Sequence, residues 1–536
     1  MSNTKATHKD NPAVTQALPG LTASFQAGNY AHAISAANTL IESAPNDARI
    51  HDFISSALAL NMNRDRAAHH ALTALALNPN DPALAKRAIS VLQRAGNYDA
   101  ALAHTERTLY QAPTDPTLNH LKINLMTDLG KHRNAARALD KLTKGSTPIL
   151  NTATPMGALS YALLAARLSP AVYKPADIIA KLQPLLTDDP AHASLPEPMR
   201  KAAHFELARL LERESDYDNA FAAYERANAF NTAPWDPDAH ASRVTKLIQA
   251  APHIASLPES TYTHTTKSGA QLTGKNLIFI LGMMRSGSSL LEQILAQLPD
   301  ITPTDEQPTL LQTITTIEQE LNPNDPLHTF PMPLSADRYT QDHINTLAKN
   351  ALTRYEELTQ SEPNQPTRYI TDKQTEHYHI LPLLPKIFPG CTIIHTNRDP
   401  IDTCLSNYTQ SFAQPHPQTA NLTWIAQFHN DHDRLMQAWR ELEQKNQSFT
   451  IHETNYATLV TNPEEETKRL AQILNIQWTP KVLDFHKSKR TVATASQDQV
   501  RQPLYTTSVG RAARFHTDQA DHLAPLRATL NTQPNN

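Results

Sequence analysis

Four residues in one short segment, Arg285, Gly287, Ser288 and Ser289, have the types and spacing to hold a phosphate. The segment 276–298, NLIFILGMMRSGSSLLEQILAQL, reads as a buried apolar strand, a tight turn with Gly282 and Gly287, and a helix opening at Ser288 and Ser289. A helix start of this kind turns backbone N–H groups and the positive end of its dipole toward an anion. The spacing is almost that of a Walker A loop, G-x4-G followed by two residues, but Ser288 and Ser289 stand where Lys and Ser/Thr are required. The positive charge lies inside the turn instead, on Arg285, with Ser286 beside it. The missing lysine argues against a standard ATPase or kinase.

A second constellation lies in IIHTNRDPIDTCLSNYTQSF. An apolar strand ends at His395, Arg398 follows, Pro400 stands where a helix would start, and Ser406 lies two turns along it. An arginine at a strand end and a serine on the next helix suit a second phosphate. The alternative is an Arg398/Asp399 pair that only caps the helix.

Together the two segments resemble the 5′-phosphosulfate loop and the 3′-phosphate motif of sulfotransferases that use 3′-phosphoadenosine 5′-phosphosulfate (PAPS). The likeness is to the tyrosylprotein sulfotransferase branch and covers about residues 275–515. It implies that Arg285, Ser286, Gly287, Ser288 and Ser289 bind the 5′-phosphosulfate and that Arg398 and Ser406 bind the 3′-phosphate. A catalytic glutamate 21 residues beyond the loop arginine falls on Glu306, in TPTDEQPTL, with Asp305 completing an acidic doublet. A strand-end lysine matches Lys373 in ITDKQTEHY, a serine before a DQV-like segment matches Ser496, and a nucleotide-holding tyrosine matches Tyr456. The resemblance thus casts Glu306 as base and Arg285, Lys373 and Ser496 as further catalytic groups. A basic residue near the DQV segment corresponds to Arg501, displaced by one position, and Tyr505, Ser508 and Arg511 are further candidate nucleotide contacts. The proline that usually precedes the loop arginine is Met284 here. Sulfuryl transfer to a hydroxyl needs a base, donors for developing charge and alignment of the two oxygens. Arginine and lysine provide the charge that Mg2+ supplies in phosphoryl transfer, so no metal is expected.

Strands alternating with helices must carry these groups. Strands are expected at 277–281, 369–371, 392–395 and 449–453, and helices at 288–298, about 376–388, 400–411 and 464–474. This pattern argues for an α/β domain with a parallel sheet and its ligands at the strand C-terminal ends. The N-terminal half is different. Ala33, Ala67, Ala101 and Ala135 recur every 34 residues; Pro45, Pro79 and Pro113 keep that step, as do Asp47, Asp81 and Asp115. Gly28, Gly96 and Gly130 occupy another shared position, with Tyr30 and Tyr98 two residues beyond the first two. This period resembles the tetratricopeptide repeat, one helix pair per unit, and bacterial members of the sulfotransferase branch carry such repeats. The expected organisation is a disordered tail over 1–14, repeats over 15–147 and a further helical region over 148–250. A linker over 251–275, a P-loop-like sulfotransferase domain over 276–515 and a tail over 516–536 complete it.

Composition narrows the partners. A formal charge of −4 gives no global attraction to nucleic acid or an anionic membrane. No apolar run approaches a membrane span, and the N-terminus MSNTKATHKDNPAVTQALPG has no apolar core, so a soluble cytoplasmic protein is expected. Two cysteines, Cys391 and Cys404, suggest a reducing compartment without a disulfide framework. The expected partner is an acceptor, in one reading a peptide or protein tyrosine bound with help from the repeats; self-association as a homodimer is also expected. Two rival readings are a P-loop nucleotide kinase or NTPase and a repeat-based adaptor with an inactive transferase half.

Overall fold

The computed structural model describes residues 11–530 except 27–29, 61–62, 145–147, 188–193, 324–330, 360–367, 413–415, 447–448, 489–499 and 501. The chain divides after Asp216 into two compact units.

Helices make up the first unit. They are α1 (Pro12–Gln26), α2 (Tyr30–Ser43), α3 (Ala48–Leu60), α4 (Arg64–Leu77), α5 (Pro82–Arg94), α6 (Tyr98–Gln111), α7 (Pro116–Asp128), α8 (His132–Leu142), α9 (Pro155–Arg167) and α10 (Pro175–Leu182), then a helix Glu197–Arg213. The 34-residue period has a local cause. Asp81 accepts from the Ala83 and Leu84 N–H groups and Asp115 from that of Leu118, with Pro82 and Pro116 in the first helical turn. This is N-capping that fixes where α5 and α7 begin. Gly96 and Gly130 stand in the left-handed region just beyond those two helices, which ends them cleanly. Ala33, Ala67, Ala101 and Ala135 are all fully buried, where a methyl side chain lets helices approach closely. Gly28 lies outside the described residues.

The second unit opens with helices Tyr217–Asn228 and Pro237–Ser256. The division therefore falls earlier than the change of composition near residue 250. The second of these helices packs on the long helix Leu422–Asn446, with His240 Nδ1 2.8 Å from an Asp431 carboxylate oxygen. The span 251–275, expected as a linker, holds the end of that helix and a hairpin of β1 (His264–Thr265) and β2 (Gln271–Leu272).

Five parallel strands follow: β3 (Leu277–Gly282), β4 (Ile301–Pro303), β5 (Tyr369–Lys373), β6 (Thr392–Asn397) and β7 (Ile451–Asn455), in the order β4-β5-β3-β6-β7. Central β3 is buried along its whole length, as a parallel strand covered on both faces must be. Ile278 and Ile280 pack toward Leu291, Ile294 and Leu295. Phe279 meets the rings of Phe388 and His377 at 5.4 and 5.7 Å. Edge strand β4, only three residues long, has no readable alternation. The helix expected at about 376–388 is replaced by 3-10 turns at Thr375–His379 and Leu381–Leu383 and one α turn at Leu384–Ile387. Pro382 and Pro385 lack the N–H groups a continuous helix needs and each opens a new turn. Among the described residues beyond 515 is a short helix, Ala524–Thr529, with Leu526 fully buried. Among the described residues, no helix is long and apolar enough to cross a membrane.

Candidate active site

The turn after β3 folds as its glycines predict. Gly282 has φ 144° and Gly287 φ 103°, both in the region that disfavours side chains. A Cβ on Gly282 would lie 2.3 Å from the Thr396 carbonyl oxygen, and one on Gly287 2.7 Å from Cδ2 of Tyr456. The glycines thus let the turn lie against β6 and the Tyr456 ring. Arg285 also has a left-handed φ of 69°. Ser286 Oγ is 2.7 Å from Thr396 Oγ1, which pins the turn to β6, and Gly287 starts the helix Ser288–Leu295.

Arg398 and Ser406 come to this turn from the end of β6. Arg285 Nε donates to Ser406 Oγ at 3.1 Å, and Arg398 donates to the Arg285 carbonyl at 3.4 Å. Arg398 also donates to the Ser508 carbonyl and lies 4.7 Å from the centre of the Tyr456 ring. Asp399 caps the helix Pro400–Tyr408, accepting from the Asp402 N–H, while the Arg398 guanidinium lies 3.7 Å from the Asp402 carboxylate instead of pairing with Asp399. Burial, and then the Arg398 guanidinium, push the Arg285 pKa down to about 10. Two guanidinium groups held this close are arranged for an anion.

A second cluster forms at the end of β5, the strand beside β3, where Lys373 is in register with Ile280. Lys373 is fully buried, and its ammonium donates to the Glu306 carboxylate. Burial opposes that charge, but Glu306, Glu292 and Asp305 outweigh it and hold the Lys373 pKa above its ordinary value. Glu306 follows Asp305, which stands at φ 58°, and the Asp305 carbonyl accepts the Lys373 N–H at 3.1 Å. Arg285, Glu306, Lys373, Arg398, Ser406 and Tyr456 therefore stand at or beside the C-terminal ends of β3–β7. Ser496 and Arg501 lie outside the described residues.

These two clusters fall within the stretch that a family comparison identifies. Residues 277–480 match the sulfotransferase family. The chain is also similar to an uncharacterised protein of Aquifex aeolicus (strain VF5), 29% identical over 351 residues. That alignment covers 64% of this chain and spans 43% of the length of the relative. Among solved structures, the sulfotransferase domain from the curacin biosynthetic pathway is 17% identical and covers 48% of this chain and 96% of its own, with a TM-score of 0.33. The corresponding domain of the Synechococcus PCC 7002 olefin synthase is 16% identical, covering 50% and 98%, with a TM-score of 0.31. A sulfotransferase from Mycobacterium avium is 16% identical, covering 67% and 96%, with a TM-score of 0.25.

The second unit also brings to these clusters residues that the sequence motifs did not point to. Asp402, buried on the helix after β6, accepts the Gly510 and Ala512 N–H groups at 2.7 and 2.8 Å. It thereby ties the C-terminal segment beside Arg398. Its spacing of four from Arg398 was a visible signal. Tyr505 and Arg511 of that segment are within electrostatic reach of Arg285. On the lysine side, Asp372 is buried and accepts from the Tyr355 hydroxyl; burial raises its pKa to about 8. Burial, and then Glu306, raise half-buried Glu376 to about 7. No group of three or more His, Cys, Asp or Glu side chains among the described residues is placed to hold a metal.

Proposed function

We propose that the sulfotransferase domain moves a sulfuryl group from PAPS to an acceptor hydroxyl. The observation that carries this reading is the meeting of Arg285 with Ser406 and Arg398 at the β3 and β6 ends, next to the Lys373–Glu306 pair at the β5 end. The residues fit such a donor. Two close guanidinium groups face a glycine-bounded turn, and the buried Arg398 Nε has no hydrogen-bond partner among the described residues. PAPS supplies the sulfuryl group and a bisphosphate leaving group.

The chain's own residues divide the work. Arg285 and the backbone and side chains of Ser286, Gly287, Ser288 and Ser289 hold the 5′-phosphosulfate end. Arg398 and Ser406 hold the 3′-phosphate, with Tyr456 supporting the Arg398 guanidinium from its ring face and Arg501 adding a contact. Glu306 takes the acceptor proton, and Lys373 and Ser496 donate to charge that develops on the leaving side. A phenol, with a pKa of about 10, is an acceptor that one carboxylate can assist. This favours a tyrosine-bearing peptide or protein. The helical first unit, read as tetratricopeptide repeats, would bind that chain in a groove, in a cytoplasmic and self-associating protein.

Two measurements test the reading. 3′,5′-Adenosine bisphosphate should raise the melting temperature by mass action, and label from sulfur-labelled PAPS should pass to a tyrosine peptide or simple phenol. Absence of binding far above micromolar concentration, or a preference for ATP with Mg2+, would overturn it.

A further inference from the structure

Glu292 lies seven residues beyond Arg285 on the helix that opens at Ser288, and it is fully buried. A buried carboxylate is costly unless its oxygens are satisfied, and here Oε1 is used twice. It accepts the Asp305 N–H at 3.2 Å and the Thr371 hydroxyl at 2.9 Å. Those partners sit at the two places that carry the proposed chemistry. Asp305 is the left-handed residue immediately before Glu306, and Thr371 is two residues before Lys373 on β5. The same turn is fastened to β5 on its other side. The Thr304 N–H and hydroxyl both donate to the Thr371 carbonyl, at 3.1 and 2.7 Å.

We propose that Glu292 is a positioning residue for sulfuryl transfer: it ties the helix whose N-terminus faces the donor to the turn that presents Glu306 and to the strand that presents Lys373. This rests on the function proposed above. Packing alone does not call for a carboxylate here, because Leu291, Ile294 and Leu295 around it already fill the core and a buried apolar side chain would cost less. What a leucine cannot do is accept the Asp305 N–H. With Glu292 in place, the donor loop and the base move as one body, and a displacement of about 1 Å between such groups costs about 100-fold in rate.

The test compares full-length Glu292→Ala and Glu292→Gln with wild type. Three readouts serve: bisphosphate binding by calorimetry, kcat and KM with PAPS, and amide hydrogen exchange at residues 304–306. Glu292→Ala is expected to lose about 100-fold in kcat, to keep bisphosphate affinity within about threefold, and to exchange the Asp305 amide faster. Glu292→Gln, which still accepts both hydrogen bonds, should restore the slow exchange and most of kcat. An unchanged kcat in Glu292→Ala, or a loss of bisphosphate binding in proportion to kcat in both variants, overturns the proposal. Should Glu292→Ala fail to fold, Thr371→Val removes one partner without touching the helix. A several-fold fall in kcat at constant affinity then supports the proposal, and no fall overturns it. A wild-type protein that binds the bisphosphate but transfers nothing overturns the functional reading itself, which separates that failure from this one.

Discussion

The two clusters at the C-terminal ends of the parallel strands are built from different materials. The Arg285–Arg398 end consists of a glycine turn, a helix start and two guanidinium groups. The Glu306–Lys373 end consists of carboxylates, a buried ammonium and a short turn. Under it lie groups whose protonation is far from ordinary: Asp372 raised to about 8, Glu376 raised to about 7 and His377 lowered to about 3, each chiefly by burial. One end is organised by local backbone geometry. The other is organised by long-range burial of charge.

The most severe test of this contrast is to remove the chemistry and keep the binding. Glu306→Gln should lower kcat by about 10²- to 10⁴-fold while bisphosphate affinity measured by calorimetry stays within about twofold. A parallel loss of affinity would show that the two ends are not separate. Arg398→Ala is the converse experiment. Removing charged hydrogen bonds worth about 1.5–3 kcal/mol should weaken bisphosphate binding about 10- to 100-fold. Wild-type affinity should be level between about pH 7 and about pH 9, because Arg285 titrates only near 10.

A third test addresses stability. His377 is buried, and its two ring nitrogens have no hydrogen-bond partner among the described residues. With a folded pKa near 3 against about 6.5 in the unfolded chain, only the unfolded state binds a proton in that window. Stability therefore falls as pH drops from about 6.5 toward 3. His377→Leu should recover ~2 kcal/mol of that loss at pH 5, read from urea unfolding at two pH values, with no change in bisphosphate binding. The smallest expected effect is at Gly287. Gly287→Ala puts a methyl group against Tyr456 at a left-handed φ, and it should destabilise the protein by about 1 kcal/mol or more and weaken bisphosphate binding, while Glu306 and Lys373 are untouched.

The same contrast explains which parts of the site were legible in the residues alone. Arg285 through Ser289 could be located because a strand, a glycine turn and a helix start follow from the amino acids within a dozen positions. The strands also emerged, with ends off by one or two residues, since their apolar runs are local. Glu292 and Asp402 carry no such local signal, because a carboxylate on a short helix usually faces solvent. Burial was needed to show that each holds a backbone segment in place. The 376–388 stretch departs from the expected single helix because Pro382 and Pro385 each open a new turn.

From its amino acids, this protein had to form capped helices at a 34-residue step, an apolar β3 and a glycine-bounded turn before a helix, because capping, glycine freedom and hydrophobic periodicity act between near neighbours. The folded chain alone decided which groups would meet. Asp305 reaches Glu292 across 13 residues, Glu306 reaches Lys373 across 67, Thr371 reaches Glu292 across 79 and Arg398 reaches Arg285 across 113. Such pairings depend on the strand order β4-β5-β3-β6-β7 and on which carboxylates that order shuts away from water.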